Sequence, residues 1–178
     1  MEDVKKTVRN RITRMKIGET LVKLLDHTSL ADIKIATISK LTGVSRMTFY
    51  HYYDSKEEAL KDYLSEIIEL YKTELVKRKL DEKFKTVDHL EFTFRFFAKY
   101  DKLILKLEKI GCYKYIVDCV NEFMEREYLE DFKQSYYDLY FYGGGIINVY
   151  MNWIHNDKSE HPRNLARKYC RFLVRSMS

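Results

Sequence analysis

The sequence predicts an all-α protein of about nine helices. One proline and six glycines in 178 residues leave few of the residues that β-turns require. Apolar residues recur every three or four positions along most of the chain, which is typical of amphipathic helices. Alternating strand patterns, internal repeats and low-complexity linkers are not found. We therefore expect helices joined by short loops.

The first four helices are predicted mainly from signals at their ends. Gly43 closes the second helix at a position where a left-handed backbone conformation is cheap only for glycine. Ser45 supplies a side-chain oxygen to cap the third. The first two predicted helices cover residues 9–26 and residues 35–42. The third covers about two turns after Ser45, and the fourth runs from Asp54 or Ser55 to about Leu80.

Five further helices are predicted in the rest of the chain. Thr86 caps the first of them, and Gly111 ends the next. Pro162 suits the first turn of the last helix, where its missing N–H group is not needed. The predicted ranges are 86–99, 101–110, 113–128, 133–155 and 162 to about 174.

Several classes of protein are excluded by composition. The three cysteines form no CxxC motif, so neither a zinc ribbon nor a thioredoxin-type site is supported. The N-terminus lacks the apolar run of a signal peptide. The longest uncharged stretch, residues 139–154, is shorter than the roughly 18 apolar residues of a spanning helix. We expect a soluble cytoplasmic protein with no membrane partner, no metal site and no cofactor.

The charge is distributed unevenly and predicts two domains. Residues 1–56 hold 11 Lys and Arg against 6 Asp and Glu, whereas residues 57–178 hold 21 of each kind. The whole net charge of +5 therefore lies in the first third of the chain. All 26 aromatic residues lie at or after Phe49. A basic first domain (residues 1–56) on a neutral, aromatic second domain (residues 57–178) suggests a polyanionic partner, although a basic solvated surface would give the same balance.

The second and third helices have the spacing of a helix-turn-helix, with Gly43 and Val44 in the turn. The third would then be the helix laid in the major groove of DNA. Arg46 can donate two hydrogen bonds to guanine, and Tyr50 offers its hydroxyl to a phosphate, while Phe49 suits the core. The candidate DNA-binding residues are Lys34, Thr37, Ser45, Arg46, Met47, Thr48, Tyr50, His51 and Lys56.

The segment LTGVSRMTFYHYYDSKEEAL resembles the N-terminal domain of the TetR family of transcription regulators. The resemblance covers about residues 9–62 and rests on many positions at fixed spacing. It implies an all-helical homodimer with two DNA-reading heads, a palindromic double-stranded operator and a ligand-responsive body. Lys34 replaces the threonine that usually caps the second helix of the family, and Met47 replaces a residue that is often small. The matching residues are Gly43, Val44, Ser45, Thr48, Phe49, Tyr50, Tyr53, Ser55, Lys56, Glu57, Glu58 and Leu60.

The second half is similar to a TetR-like subset that includes activators of dihydroxyacetone kinase operons. The similar segment runs from Tyr140 to Asn156. Some members of that subset respond to a protein partner, so the resemblance leaves a protein-controlled activator or co-regulator as an alternative to a ligand-released repressor.

Two clusters in the second half have alternative interpretations. The aromatic residues either line an apolar effector pocket or belong to the core; the pocket candidates are Phe92, Phe96, Phe97, Tyr100 and Tyr113. The uncharged stretch with its three glycines predicts a surface for a second copy, because it would be exposed in a monomer. The expected dimer residues are Gly143, Gly144, Ile147, Tyr150, Met151, Ile154 and Phe172.

The favoured function is a TetR-type repressor that a small-molecule effector releases from its operator. The alternatives are the partner-controlled activator or co-regulator, and a module that keeps the fold but has lost DNA binding. An enzyme is not expected, because no nucleophile–base pair, metal-binding constellation or phosphate loop stands out.

Overall fold

The computed structural model describes the backbone of residues 2–80, 86–129 and 136–175, and the side chains of residues 9–80, 86–129 and 136–171. Helices, turns and connecting segments account for all of these residues, and none of them lies in a β-strand. The all-α class is confirmed. No helix within the described ranges is long and apolar enough to cross a membrane.

The helices follow one another along the chain as the sequence predicts. The first helix begins earlier than expected. The eighth helix was expected to begin at residue 133, which lies outside the described residues. The helices are α1 (Glu2–Leu24), α2 (Ile35–Thr42), α3 (Arg46–Tyr52), α4 (Lys56–Lys77), α5 (Val87–Phe97), α6 (Asp101–Lys109), α7 (Tyr113–Tyr128), α8 (Tyr136–His155) and α9 (Pro162–Arg175), with a 3-10 turn at Ala98–Tyr100.

The chain divides into two compact units, Met1–Ile67 and Ile68–Ser178. The division falls inside α4, whereas the charge distribution predicts a domain boundary at the start of that helix, after residue 56. The assignment of a DNA-binding function to one part and effector binding to the other stays a prediction.

The first unit is built around the apolar sides of α1 to α4. Its buried side chains come from all four helices and from the connection between α1 and α2. A close approach of α1 to α4 occurs at Gly18, where an added Cβ would lie only 2.5 Å from Tyr63 Cβ. Gly18 is therefore the residue that lets these two helices pack together. The core residues include Ile17, Leu21, Ile33, Ile38, Phe49, Leu60 and Leu64.

The core of the second unit joins α5, α6, α8 and α9. Tyr150 stacks parallel to Phe94 with ring centroids 6.4 Å apart, and its hydroxyl donates to Phe97 O at 2.9 Å. Trp153 Nε1 donates to Glu160 O at 2.7 Å, so the turn before α9 is bonded to the end of α8. The core cluster comprises Leu90, Phe94, Ile104, Ile147, Tyr150, Met151, Trp153, Ile154, Leu165 and Ala166.

The expectation that the predicted dimer residues would be exposed in a single chain is wrong for most of α8. Ile147, Tyr150, Met151 and Ile154 belong to the core of the second unit. Gly143 is also buried, and its Cβ position lies 3.5 Å from Met124 Cγ. These residues face the protein's own interior because α5, α7 and α9 cover that side of α8.

The two remaining residues of that set are placed differently. Gly144 is half-buried, and apart from the backbone of α8 itself and the adjacent residues, no atom of the described residues lies within 4 Å of its Cβ position. Phe172 is part of α9, and its side chain lies outside the described residues.

Replacing Gly18 by alanine should destabilise the protein. The new methyl group would overlap Tyr63 Cβ, which cannot rotate away, and overpacking of this kind costs about 1–3 kcal/mol. We expect a net loss of about 1–2 kcal/mol, because alanine regains up to about 1 kcal/mol of helix propensity. Urea unfolding of the variant beside Glu19→Ala, at an exposed neighbouring position, measures the effect. Equal stability of the two variants would contradict the close approach.

Candidate nucleic-acid interface

The turn between α2 and α3 is fixed by local hydrogen bonds. Gly43 has φ 71° and ψ 9°, and its N–H donates to Ser39 O at 2.9 Å. The Thr42 hydroxyl donates to Ile38 O at 2.8 Å and accepts from Val44 N–H at 3.2 Å. The predicted left-handed glycine is confirmed, and a side chain at this φ would be strained.

The first turn of α3 is held by Ser45. This residue has an extended backbone, with φ −65° and ψ 154°, and its Oγ accepts from Thr48 N–H at 3.0 Å. The two hydroxyl oxygens of Ser45 and Thr48 are also hydrogen-bonded, at 2.8 Å. The predicted cap is confirmed. The side chain of Thr48, a candidate DNA contact, is therefore ordered by the protein itself.

The helix α3 has one buried side and one exposed side. Phe49 is 1% exposed and packs edge-on against the Tyr50 ring, with centroids 5.7 Å apart. Arg46, Met47, Tyr50 and His51 are exposed. The expectation that Phe49 is a core residue is confirmed, and four of the candidate contacts lie on the accessible side of the helix.

The end of α3 is anchored by a network of hydrogen bonds, the Asp62 network, formed by Tyr53, Asp62 and Arg14. The Tyr53 hydroxyl donates to Asp62 Oδ2 at 2.6 Å, and Arg14 Nε donates to the same oxygen at 2.9 Å. Burial, and then the hydrogen bond to Asp62, raise the pKa of Tyr53 well above its usual value, so this hydroxyl stays protonated. A second link joins α3 to α1, since Tyr52 donates to Asn10 Oδ1 at 2.9 Å.

Lys56 has a different environment from the one expected of a backbone contact. Its Nζ donates to Ala31 O at 2.7 Å and to Ile33 O at 2.8 Å, so it ties the start of α4 to the connection before α2. An ammonium group has three donors, which leaves one for a phosphate oxygen. Removing Lys56 would therefore disturb the connection before α2 as well as any DNA contact.

The remaining candidates stand at the start of α2. Lys34 and Thr37 are exposed, and Lys34 makes no side-chain cap, as its replacement of threonine predicts. Ion pairs in the first unit join Arg11 to Glu66 and Arg14 to Asp62 and Glu66. Lys34 and Arg46 take no part in those pairs, so their charges are available to an external anion.

The predicted pocket residues form part of an aromatic cluster around Tyr71, on α4. The ring of Phe92 stacks on Tyr71 with centroids 5.9 Å apart, and Phe96 and Phe97 lie at 5.4 and 5.0 Å. Tyr100 extends the cluster through Phe96, at 5.7 Å. Tyr113 is not among these ring contacts, and it packs, like Phe97 and Tyr100, against the core cluster of the second unit. An effector pocket at these residues stays a prediction.

Polar groups inside the aromatic cluster were not predicted. The Tyr71 hydroxyl lies 2.7 Å from Thr93 Oγ1 and 3.0 Å from His89 Nε2. His89 Nδ1 lies 3.0 Å from Leu80 O, and because a carbonyl only accepts, Nδ1 is the donor there. Burial raises the pKa of Tyr71 well above its usual value, so the phenol is neutral. The available signal was the four-residue spacing of His89 and Thr93, which places both on one side of α5.

No group of three or more His, Cys, Asp or Glu side chains that could hold a metal ion occurs among the described residues.

Comparison with known families finds no family model that matches the chain, and comparison with curated proteins finds no matching relative.

Replacing Tyr53 by phenylalanine should destabilise the protein more than replacing Tyr52. The Tyr53 hydroxyl donates to a carboxylate, and such a bond contributes about 1.5–3 kcal/mol, against about 1 kcal/mol for the neutral Tyr52–Asn10 pair. Urea unfolding of Tyr53→Phe and Tyr52→Phe measures both losses of unfolding free energy, provided that the dependence of that free energy on urea concentration is the same as in the wild type. Equal losses would mean that Asp62 is not the main anchor of α3.

Proposed function

We propose that the chain is a DNA-binding transcription regulator of the TetR type, in which α3 reads the major groove. The observation that carries this proposal is the exposed side of α3, which presents Arg46, Met47, Tyr50 and His51 from a helix that is fixed at both ends. The first residues of a recognition helix are those that reach base edges. The resemblance of residues 9–62 to the TetR N-terminal domain supports the same function.

The distribution of charge supports DNA as the partner. The net charge of +5 lies within residues 1–56, where Lys34 and Arg46 are exposed. Cations that are not paired within the protein can replace the counterions of phosphate groups, and this exchange supplies much of the binding free energy of DNA-binding proteins. Lys34 and Arg46 place positive charge beside the exposed side of α3, a feature that DNA binding needs and that a protein–protein module does not.

We propose a repressor that a small, largely apolar effector releases from DNA. The aromatic cluster around Tyr71 supplies apolar walls, and His89 and Thr93 supply a few polar groups, which is the usual composition of a ligand site. Tyr71 and Asp62 belong to the same helix, α4. A ligand that displaces Tyr71 would therefore act on the helix that carries the anchor of α3.

The proposed homodimer uses the exposed side of α8. Tyr137 and Phe141 are 83% and 76% exposed, and Asn148 and Asn152 continue the same side toward the end of the helix. Asn148 Nδ2 donates to Gly144 O at 2.8 Å, and Asn152 Nδ2 donates to Asn148 O at 3.0 Å, so both amides lie along the helix. A second copy could approach this side closely, and a twofold axis would pair it with itself.

Replacing Phe141 by glutamate should convert a dimer into a monomer. The side chain is exposed in the single chain, so the substitution leaves the fold intact, but it places a charge where an apolar contact is proposed. Val76→Glu, at an exposed position on α4, is the matched control. Sedimentation at micromolar concentration should give dimers for the wild type and the control. A monomeric wild type would contradict the proposed assembly.

The decisive experiment for the proposed function is selection of bound duplexes from a random library by the full chain. Enrichment of a palindromic site is the expected result. Failure to enrich any sequence would favour a module that has lost DNA binding, and an enriched site without twofold symmetry would contradict the dimeric arrangement.

Arg46→Ala and Lys34→Ala should have different effects on the selected site. A bidentate guanine contact contributes about 1–3 kcal/mol of discrimination against the wrong base. Arg46→Ala should therefore reduce the difference in binding affinity between the selected and the scrambled duplex. Lys34→Ala should weaken binding to both duplexes equally. The slope of log affinity against log salt concentration, about −5 to −9 for the wild-type dimer, should become shallower by about one unit per subunit. Lys34 is preferred to Lys56 here because Lys56 also bonds the chain's own carbonyls.

Titration of each variant against both duplexes across a salt series gives the comparison. Equal weakening of the selected and scrambled duplexes by Arg46→Ala would mean that Arg46 contacts phosphate and reads no base.

A further inference from the structure

We infer that Met47 is a specificity-determining residue that recognises the 5-methyl group of a thymine in the operator half-site. The inference rests on the proposed DNA-binding function and names one base that α3 would recognise. Met47 is the second residue of α3 and is 83% exposed, the most exposed of the large apolar side chains described in the first unit.

The geometry of α3 places Met47 at the centre of its accessible side. Successive residues of an α-helix are about 100° apart, so Met47 lies about 160° from Phe49 and about 120° from Tyr53. Both of those side chains are buried. Tyr50 and His51 lie within about 60° of Met47, one turn further along the helix. A groove that received this side of α3 would therefore meet Met47 first, with Tyr50 and His51 on either side of it.

The chemistry of methionine restricts what it can recognise there. The thioether is at most a weak acceptor, so it cannot replace a guanidinium or an amide at a base edge or a phosphate. The one apolar group that bases present in the major groove is the thymine methyl. Methionine has three flexible bonds and a polarizable sulfur, which lets it adapt to an apolar group.

The arrangement around Met47 also explains why its exposure matters. Single exposed apolar residues are common on protein surfaces and need no explanation by themselves. Met47, however, shares its side of α3 with Tyr50 and His51 and directly follows the exposed Arg46, and these three side chains suit guanine and phosphate. These polar neighbours would fix the helix in the groove, and the apolar side chain between them would distinguish thymine from cytosine, which lacks the methyl group.

The test uses full-length protein and the duplex selected by the wild type. Each thymine of the half-site is replaced in turn by deoxyuridine, which removes the methyl group and keeps the base pair. Burial of one methyl-sized group is equivalent to about a fourfold change in affinity. At one thymine position, the affinity of the wild type should fall about fourfold when one half-site is changed and about 15-fold when both half-sites are changed.

Three variants assign the effect to Met47. Met47→Gln keeps a similar length without the apolar end, and it should bind the thymine and deoxyuridine duplexes equally. Met47→Leu stays apolar and should retain the preference. Ile12→Gln, at an exposed position on α1, should behave as the wild type does.

The outcomes separate this inference from the proposed function. A selected half-site that contains no thymine, or a methyl effect that persists in Met47→Gln, overturns the role of Met47 while leaving DNA binding in place. Absence of any selected site overturns both.

Discussion

The carboxylate of Asp62 is the group on which the placement of α3 depends. It accepts from Tyr53 at the end of α3 and from Arg14 on α1, and it is itself part of α4. A helix of seven residues is not stable by itself in water, because so short a helix cannot offset the cost of its first turn. Phe49 buries one side of α3, Ser45 caps its start, and Asp62 holds its end through Tyr53. Any surface that α3 presents is therefore oriented by a carboxylate that is not part of it.

The features that could be predicted from the sequence are those set by neighbouring residues. The caps at Ser45 and Thr86 and the left-handed Gly43 involve atoms no more than four residues apart, so a short stretch of sequence contains both partners. The environment of Lys56 could not be predicted in this way. Its two acceptors, Ala31 O and Ile33 O, lie more than twenty residues away in a connection whose conformation no local signal specifies.

The prediction that the apolar residues of α8 would be exposed in a single chain was wrong for a related reason. Residues 139–154 are uncharged on every side of the helix, so their periodicity does not distinguish a side that faces the core from one that faces a partner. The choice is made by α5 and α9, which cover Ile147, Met151 and Ile154. The polar group of the aromatic cluster was missed on similar grounds, since Tyr71 and His89 meet only when α4 and α5 pack together.

The candidate DNA contacts differ in how much order the protein has already imposed on them. Thr48 and Lys56 are hydrogen-bonded to the chain, whereas Arg46 and Met47 extend from an ordered helix as exposed side chains. Fixing a flexible side chain at an interface costs about 0.5–1.5 kcal/mol, a cost that a group already held by the protein has largely met during folding. In the proposed complex the pre-ordered groups can thus bind phosphate at little entropic cost on any sequence. Arg46 and Met47 recover their ordering cost only when the matching base is present, so in the proposed complex these two side chains separate the operator from other DNA.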